Sequence, residues 1–293
     1  MNKKIRFLCL YLAVLGLFSL GKVRAHAADG QLFFKGSSTL APVVSQISKQ
    51  FIEKYETWDK VDSSLPNTKI EIFVSGGGSG EGVKAILDGT SNLGMTARAV
   101  SEKEKKSVGD YHEFHLGTDA LTISVHPDNK VHEIKPNLTK EELVKIFSGE
   151  YKYWNDLDSS LPKDEIVIVI RDIGGGAHEV FQKTVMGKVD VTPNAIQAPS
   201  MGALVTKVME NKNAIGYASF GMVNMNKGKI IPLKVDGVEP TVENILNGSY
   251  TIARPLLIIK KGAMSANEKA FVDSLLSEEG MAVVEQMGFV PAQ

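Results

Sequence analysis

Hydrophobic positions along the chain follow two alternating spacings, one typical of β-strands and the other typical of α-helices. Residues 32–34 form a short apolar run that predicts a strand, and apolar residues at helical spacing from 40 to 51 predict a helix. Apolar residues then alternate from 70 to 74, and Phe73 between them predicts a strand buried on both faces. This repeated order of strand and helix predicts an α/β fold.

The same alternation continues to the end of the chain. Thr139 and Glu142 form a capping box that predicts the start of a helix. The β-branched run at 166–170 predicts a buried parallel strand. Further strands are predicted at 120–125 and 256–259, and further helices at 83–87 and 268–287.

The N-terminal segment has the order of features found in secretory signal peptides. Three basic residues lie within the first six positions, an apolar run of 14 residues follows at 7–20, and an Ala-His-Ala sequence ends at Ala27. We therefore expect residues 1–27 to be a signal peptide cleaved before Ala28, and the mature chain to be exported. An uncleaved membrane anchor is the alternative, although the run is shorter than the roughly 20 residues of a spanning helix.

Composition narrows the class of protein. The chain has 293 residues, of which 43% are apolar and 23% charged, as in folded globular proteins and unlike disordered chains or coiled coils. Its one cysteine, Cys9, lies within the predicted signal peptide, which excludes a disulfide-bonded scaffold. A formal net charge of −1 gives no reason to expect a nucleic-acid partner.

Three glycine-rich loops each follow a predicted strand and precede a predicted helix, at residues 36–40, 75–82 and 171–176. A helix N-terminus has unpaired N–H groups and a partial positive charge, and glycine lets an anion approach that backbone. Hydroxyl side chains in the first two loops and Arg171 in the third add further donors. Because ligands of open α/β sheets bind beyond the carboxyl ends of the strands, the loops predict one shared anion site.

Other chemistries have less support. The sequence contains neither a GxxxxGK[ST] nucleotide loop nor a nucleophile-elbow motif, so we expect no nucleotide cofactor and no enzyme activity. His112 and His115 have a spacing that could place two metal ligands on a helix, but no third ligand clusters with them, so we expect no metal. His178, just past the third loop, is expected to face solvent, with contact to the anion as the alternative.

Nine stretches of sequence together resemble the periplasmic phosphate-binding proteins of Pst-type ABC transporters. They extend over nearly the whole mature chain and comprise residues 36–42, 79–86, 93–98, 119–120, 146–149, 154–157, 215–217, 240–245 and 253–256. The resemblance implies a type II periplasmic-binding-protein fold, in which two α/β lobes joined by two crossover strands surround a central cleft.

The resemblance also implies a domain organisation. After the signal peptide at 1–27, lobe I would comprise residues 28–117 and a C-terminal return at 252–293, and lobe II would comprise residues 118–251. The crossover strands would lie near 118–126 and 251–259.

Several residues correspond to the family's phosphate donors. The resemblance implies hydrogen bonds to phosphate from the Thr39 side chain and the Leu40 backbone, with Ser38 beside them, and an ion pair from Arg171. The full set implied to bind phosphate is Ser38, Thr39, Leu40, Ser79, Arg171, Gly175 and Gly176.

The chain departs from the family pattern at two places. Gly175 and Ala177 stand where the family usually has a serine and a threonine, so hydroxyl donors are lost while backbone donors remain. Ala97 stands where some members have an aspartate that accepts the proton of HPO₄²⁻ and so rejects sulfate. Asp119 is our first candidate to replace that acceptor and Asp172 the second.

Arg98 and Asp119 are also candidate phosphate-binding residues, and each has a second interpretation. Arg98 either adds a second positive charge to the phosphate site or forms a salt bridge at the hinge or surface. Asp119 either contacts the ligand or makes a structural hydrogen bond at the hinge.

We therefore expect an exported, periplasmic, monomeric receptor that captures inorganic phosphate between two lobes by hinge closure. It would use no covalent chemistry and no cofactor, and it would dock on a membrane ABC permease. A receptor for another tetrahedral oxyanion, such as sulfate or molybdate, is the first alternative. An exported phosphohydrolase and a scaffold or adhesin with a vestigial site are the others.

Overall fold

The computed structural model of the chain describes residues 30–292. The predicted signal peptide and its cleavage site before Ala28 lie outside the described residues. Among residues 30–292, no helix is both long enough and apolar enough to span a bilayer.

The described residues form short strands that alternate with helices. The strands are β1 (Gln31–Gly36), β2 (Glu71–Gly76), β3 (Leu93–Thr96), β4 (Tyr111–Val125), β5 (Asn137–Leu138), β6 (Val167–Arg171), β7 (Ile196–Ala198), β8 (Ala214–Ser219), β9 (Ile231–Pro232), β10 (Lys234–Val235), β11 (Ala253–Lys261) and β12 (Val290–Pro291). The helices are α1 (Ala41–Tyr55), α2 (Trp58–Val61), α3 (Ser79–Asp88), α4 (Glu102–Val108), α5 (Val131–Ile134), α6 (Lys140–Phe147), α7 (Trp154–Leu157), α8 (Gly176–Phe181), α9 (Met201–Met209), α10 (Phe220–Met225), α11 (Val242–Leu246), α12 (Ala266–Leu275) and α13 (Glu278–Gln286), and a π-helical turn (Gln182–Met186) extends α8.

One sheet with the strand order β2-β1-β3-β11-β4-β8-β6-β7 runs through the molecule. Strands β1, β2 and β3 are parallel, and so are β6, β7 and β8. The antiparallel strands β4 and β11 lie between these two parallel groups. The 15-residue strand β4 pairs with β11 through its first part and with β8 from Leu121 onward, so it passes from one group to the other.

Two large hydrophobic cores lie on either side of this transition, and a smaller cluster that includes Val83 and Ile259 adds to the lobe I side. One, which defines lobe I, contains Phe34, Phe51 and Phe271, and the other, which defines lobe II, contains Phe147 and Phe181. Apart from Val290, lobe II core residues run from position 120 to 252, and those of lobe I lie outside that interval. This division supports lobe boundaries near 117 and 251, which stay a prediction, with β4 and β11 as the crossover strands.

Most predicted elements are present, and the capping box of Thr139 and Glu142 at the start of α6 is confirmed. The buried parallel strand predicted at 166–170 is β6. The prediction that residues 70–74 are buried on both faces is wrong, because β2 is an edge strand that pairs with β1 and Phe73 is 47% exposed.

Two further predictions need correction. The single helix predicted at 268–287 is two helices, because Ser277 accepts a hydrogen bond from the Gly280 N–H and starts α13 as a new helix. His112 and His115 lie on strand β4 and not on a helix. Within the described residues, no group of three or more histidine, cysteine or acidic residues could hold a metal ion.

Candidate functional site

The first glycine-rich loop joins β1 to α1 at the cleft. Gly36 has a φ of 140°, and a Cβ there would overlap the Met95 carbonyl, so the turn requires glycine. The Ser37 hydroxyl then accepts hydrogen bonds from the backbone N–H groups of Thr39, at 3.2 Å, and Leu40, at 3.3 Å. These backbone donors at the start of α1 are therefore satisfied within the loop.

The second loop joins β2 to α3 and places Ser79 as the first residue of that helix. Ser79 is 3% exposed, and its Oγ accepts a hydrogen bond of 3.0 Å from the backbone N–H of Ala97, just after β3. The carboxyl ends of the parallel strands β1, β2 and β3 thus bring the first two loops and Ala97 to one edge of the sheet.

The third loop joins β6 to α8 and begins with Arg171, which is 2% exposed. Arg171 Nε donates to Asp172 Oδ1 at 3.0 Å and to the Ala198 carbonyl at 3.1 Å. Its Nη2 donates to the same carboxylate oxygen at 2.5 Å and to the Pro199 carbonyl at 3.2 Å. These bonds fix the guanidinium plane with Nη1 directed across the cleft.

Tyr217 on β8 forms hydrogen bonds with residues at both ends of the third loop. Its hydroxyl accepts a hydrogen bond of 2.9 Å from the Arg171 backbone N–H and lies 3.0 Å from His178 Nδ1. The prediction that His178 faces solvent is wrong, because its side chain is buried against Tyr217. Burial lowers the pKa of His178, which favours the neutral form of the ring.

The three loops meet across the cleft between the lobes. Arg171 Nη1 in lobe II donates to Ser38 Oγ in lobe I at 3.0 Å, and Nη2 donates to the Gly77 carbonyl at 3.3 Å. The Met201 N–H at the start of α9 donates to the same Ser38 oxygen at 3.2 Å. A Cβ at Gly176 would overlap the Ser79 hydroxyl, so the second and third loops are in direct contact. The structure therefore brings the residues predicted on all three loops together.

Three hydroxyl groups at this junction are arranged as donors. Ser38 accepts from Arg171, Ser79 from the Ala97 N–H, and Thr39 from Arg254 Nη2 at 3.0 Å. Because each oxygen already accepts from nitrogen, its own hydrogen is available to donate. A cluster of hydroxyl donors beside a buried guanidinium is suited to an oxyanion.

Some predicted site residues are engaged elsewhere. Leu40 donates its N–H to Ser37, and Gly175 donates its N–H to the Asp172 carbonyl at 2.8 Å.

Asp119 is fully buried: its Oδ2 accepts from Arg254 at 2.7 and 3.0 Å, and its Oδ1 accepts from Ser219 Oγ at 3.0 Å. These contacts favour the structural interpretation of Asp119.

Arg98 is paired with carboxylates on both lobes. Its Nη1 and Nη2 donate to the two carboxylate oxygens of Glu104 at 2.9 and 2.6 Å. Its Nε lies 2.7 Å from Glu179 Oε2 in lobe II, at an angle that makes an ion pair but no hydrogen bond. The Arg98 guanidinium lowers the pKa of Glu104 to about 2. These contacts match the salt-bridge interpretation of Arg98.

Three further residues hold the site together although no role is predicted for them from sequence: Ser37, Tyr217 and Arg254. The sequence around Arg254 does contain a clue to its role. Arg254 is a charged residue in the otherwise apolar stretch 253–259, and a charge buried there needs a partner. Ser37 lies within a predicted loop, but its function as a cap depends on the turn geometry. Tyr217 is distant in sequence from the residues it supports, so only the tertiary structure reveals its role.

Comparisons with known proteins identify the family to which the chain belongs. The family model described as a PBP superfamily domain matches residues 23–279. The phosphate-binding protein PstS of Staphylococcus epidermidis is 31% identical over 282 residues, which is 92% of this chain and 80% of that protein.

Solved structures give the same result. A putative phosphate ABC transporter substrate-binding protein from Clostridium perfringens, solved with bound phosphate, superposes with a TM-score of 0.76 at 30% identity, covering 90% of this chain and 100% of that chain. An ABC-type phosphate transport receptor from Vibrio cholerae superposes with a TM-score of 0.68 at 25% identity, covering 89% and 100%. The resemblance inferred from sequence is confirmed: the chain has the type II periplasmic-binding-protein fold and belongs to the PstS family within the PBP superfamily.

Proposed function

We propose that this chain is an extracytoplasmic receptor that binds inorganic phosphate between its two lobes and delivers it to the membrane subunits of an ABC transporter. The names of its relatives support the ligand and the type of transporter. The proposed binding residues are Ser38, Thr39, Ser79, Arg171 and Gly176, with the Leu40 and Gly175 backbones lining the same loops.

The observation that carries this proposal is the donor cluster that joins the lobes. Arg171 in lobe II donates to Ser38 and to the Gly77 carbonyl in lobe I, and Gly176 in the same lobe II loop packs against the Ser79 hydroxyl of lobe I. An anion bound here would accept hydrogen bonds from both lobes, so binding would favour the state in which the lobes are together.

The acceptor for the phosphate proton is the remaining specificity question. Asp119 has both carboxylate oxygens engaged with protein donors. Within residues 30–292, the hydrogen bonds of the Asp172 carboxylate run through Oδ1 alone, and the residue is half-buried beside Arg171. We therefore place Asp172 ahead of Asp119 as the acceptor, which reverses the order expected from sequence.

The proposal includes no chemical step. His178 is the histidine nearest the third loop, and its Nδ1 is bonded to Tyr217 and not to a serine hydroxyl. A serine without a general base is a poor nucleophile, so the arrangement supports binding and not hydrolysis. Export through the signal peptide at 1–27, cleavage before Ala28 and a monomeric receptor remain part of the proposal.

Isothermal titration of the mature chain with phosphate and with sulfate tests this function. We expect phosphate binding, no displacement by an equal concentration of sulfate, and a loss of about 100-fold in Arg171→Ala, which removes a charged donor. Displacement by sulfate would favour the receptor for another oxyanion. Unchanged binding in Arg171→Ala would favour the vestigial scaffold, and turnover of a phosphate ester would favour the phosphohydrolase.

Asp172→Asn and Asp119→Asn separate the two proton acceptors in the same assay. If Asp172 accepts the phosphate proton, Asp172→Asn weakens the preference for phosphate over sulfate, because an amide can donate to sulfate where a carboxylate repels it. Asp119→Asn should keep that preference. The opposite pattern would restore Asp119 as the acceptor.

A further inference from the structure

Arg254 lies where the crossover strands meet the anion site. It is the second residue of β11 and pairs in register with Asp119 on β4. Both side chains are buried, at 3% exposure for Arg254 and 0% for Asp119. Because β11 runs antiparallel to β3, the start of β11 lies beside the loop that follows β3, close to Ala97.

The Arg254 guanidinium contacts the two loop segments that present hydroxyls to the cleft. Its Nη2 donates to Thr39 Oγ1 at 3.0 Å, and its Nη1 donates to the Ala97 carbonyl at 3.3 Å. The Ala97 N–H in turn donates to Ser79 Oγ. One guanidinium therefore holds Thr39 directly and holds Ser79 indirectly, through the backbone of Ala97.

The bond to Thr39 determines which way that hydroxyl can act. A threonine hydroxyl has one hydrogen and two acceptor lone pairs. Arg254 has only donors, so Thr39 Oγ1 must accept from it, and the Thr39 hydrogen is left to donate elsewhere. A hydroxyl that accepts from a cation is also a stronger donor, because successive hydrogen bonds polarise one another.

A purely structural role does not fully explain the buried ion pair between Arg254 and Asp119. A buried ion pair is seldom more stabilising than apolar residues of the same shape, so its presence at this position is not accounted for by folding alone. Burial lowers the pKa of Arg254, Asp119 opposes this effect, and the charge of Arg171 lowers the pKa further. The geometry links the two guanidiniums more directly, because Arg171 bonds the Ser38 hydroxyl and Arg254 bonds the hydroxyl of the next residue, Thr39.

We propose that Arg254, held by Asp119, is a positioning residue for the anion site that orients the Thr39 hydroxyl as a donor into the cleft. This inference rests on the proposed phosphate-binding function. It adds a second buried cation that acts through Thr39 and not by direct contact with the ligand.

A double-mutant cycle tests the inference by titration with inorganic phosphate. Lysine at position 254 keeps the charge beside Asp119 but lacks the planar fork that reaches Thr39 and Ala97 together. We expect Arg254→Lys and Thr39→Val each to weaken phosphate binding by about tenfold or more. The double variant should be within about twofold of Thr39→Val alone, because Arg254 acts through that hydroxyl.

The matched control is Ser219→Ala, which removes a hydrogen bond to Asp119 Oδ1 and leaves the contact between Arg254 and Thr39 intact. We expect its phosphate affinity to stay within about twofold of the wild type even if its stability falls. If Arg254→Lys does not fold, Asp119→Asn/Arg254→Gln removes both charges together and should show the same loss.

The outcomes distinguish this inference from the function on which it rests. No phosphate binding by the wild type would reject both. Binding by the wild type with losses that multiply in the double variant, or with no loss in Arg254→Lys, would overturn the positioning role alone. An equal loss in Ser219→Ala would show that the pair is only structural.

Discussion

Gly176 in the third loop packs directly against Ser79 of the second loop. A Cβ at this position would overlap the hydroxyl and the Cβ of Ser79 on the other lobe. Ser79 is short and buried, so it cannot move aside as the end of a long side chain would. Gly78 and Gly175 also face each other, with a Cβ at Gly78 lying 3.8 Å from the Gly175 Cα. The glycines of the third loop thus allow the lobes to close.

We predict that Gly176→Ala weakens phosphate binding by about tenfold or more with little change in stability, because the overlap with Ser79 exists only when the lobes are together. Isothermal titration and thermal unfolding measure the two quantities. The control is Gly174→Ala in the same loop, where a Cβ would meet nothing within 4 Å. Equal affinities for the two variants would contradict this explanation.

Whether a site residue could be predicted from sequence depends on whether its role is set by local structure or by a distant partner. Thr39, Ser79 and Arg171 could be predicted because each lies where a strand ends and a helix begins, a position that sequence patterns mark. Arg98 and Asp119 could be selected but not interpreted. Their roles depend on Glu179 for Arg98 and on Arg254 for Asp119, and both of these partners are distant in sequence.

At the scale of elements, prediction succeeded where the signal is local. The buried strand β6 and the capped helix α6 are each specified by their own residues. The exposure of β2 could not be read from its apolar sequence, because being at a sheet edge is a property of the whole sheet. The break between α12 and α13 had a local signal in Ser277, a helix-capping residue that helical spacing alone overlooks.

Helix α4 offers a test of electrostatics at this scale. Glu104 closes the capping box with Ser101 and also binds Arg98, which lowers its pKa from 4.5 to about 2. Folding therefore favours the carboxylate, so the stabilisation is present above about pH 4.5 and is lost as the pH falls towards 2.

We predict that Glu104→Gln loses about 1–2 kcal/mol of unfolding free energy at pH 7, because Arg98 keeps only one of its two carboxylate partners. The difference from the wild type should shrink as the pH falls below about 4.5. Urea unfolding between pH 7 and pH 3 measures it. The control Glu102→Gln, on the same helix but 93% exposed, should stay within about 0.5 kcal/mol of the wild type at pH 7. A difference that is constant with pH would refute this account of Glu104.

At the scale of the whole molecule, the two lobes have separate cores and are held together in the cleft by polar contacts. Arg171, Ser38 and the Met201 N–H make hydrogen bonds between lobes, and Arg98 meets Glu179 at the cleft rim. Polar contacts of this kind can break and re-form as the lobes separate, whereas a shared apolar core could not. Glu179 is not one of the proposed phosphate-binding residues, so the ion pair can be altered there without removing a proposed ligand contact.

We predict that Glu179→Gln weakens phosphate binding by about two- to fivefold, mainly through faster dissociation, because an ion pair that holds the lobes together is lost. The Arg98 side chain is 6% exposed and keeps Glu104 as its partner, so the stability of the fold should change little. Glu179 is 59% exposed, so salt should screen its ion pair with Arg98. Titration and stopped-flow dissociation at low and high salt measure both effects, and the variant should approach the wild type as salt rises. Glu102→Gln, which removes an exposed carboxylate from α4 without touching lobe II, is the matched control. If the two variants release phosphate equally fast at low salt, the contact between Arg98 and Glu179 does not hold the lobes together, and closure depends on the anion donors alone.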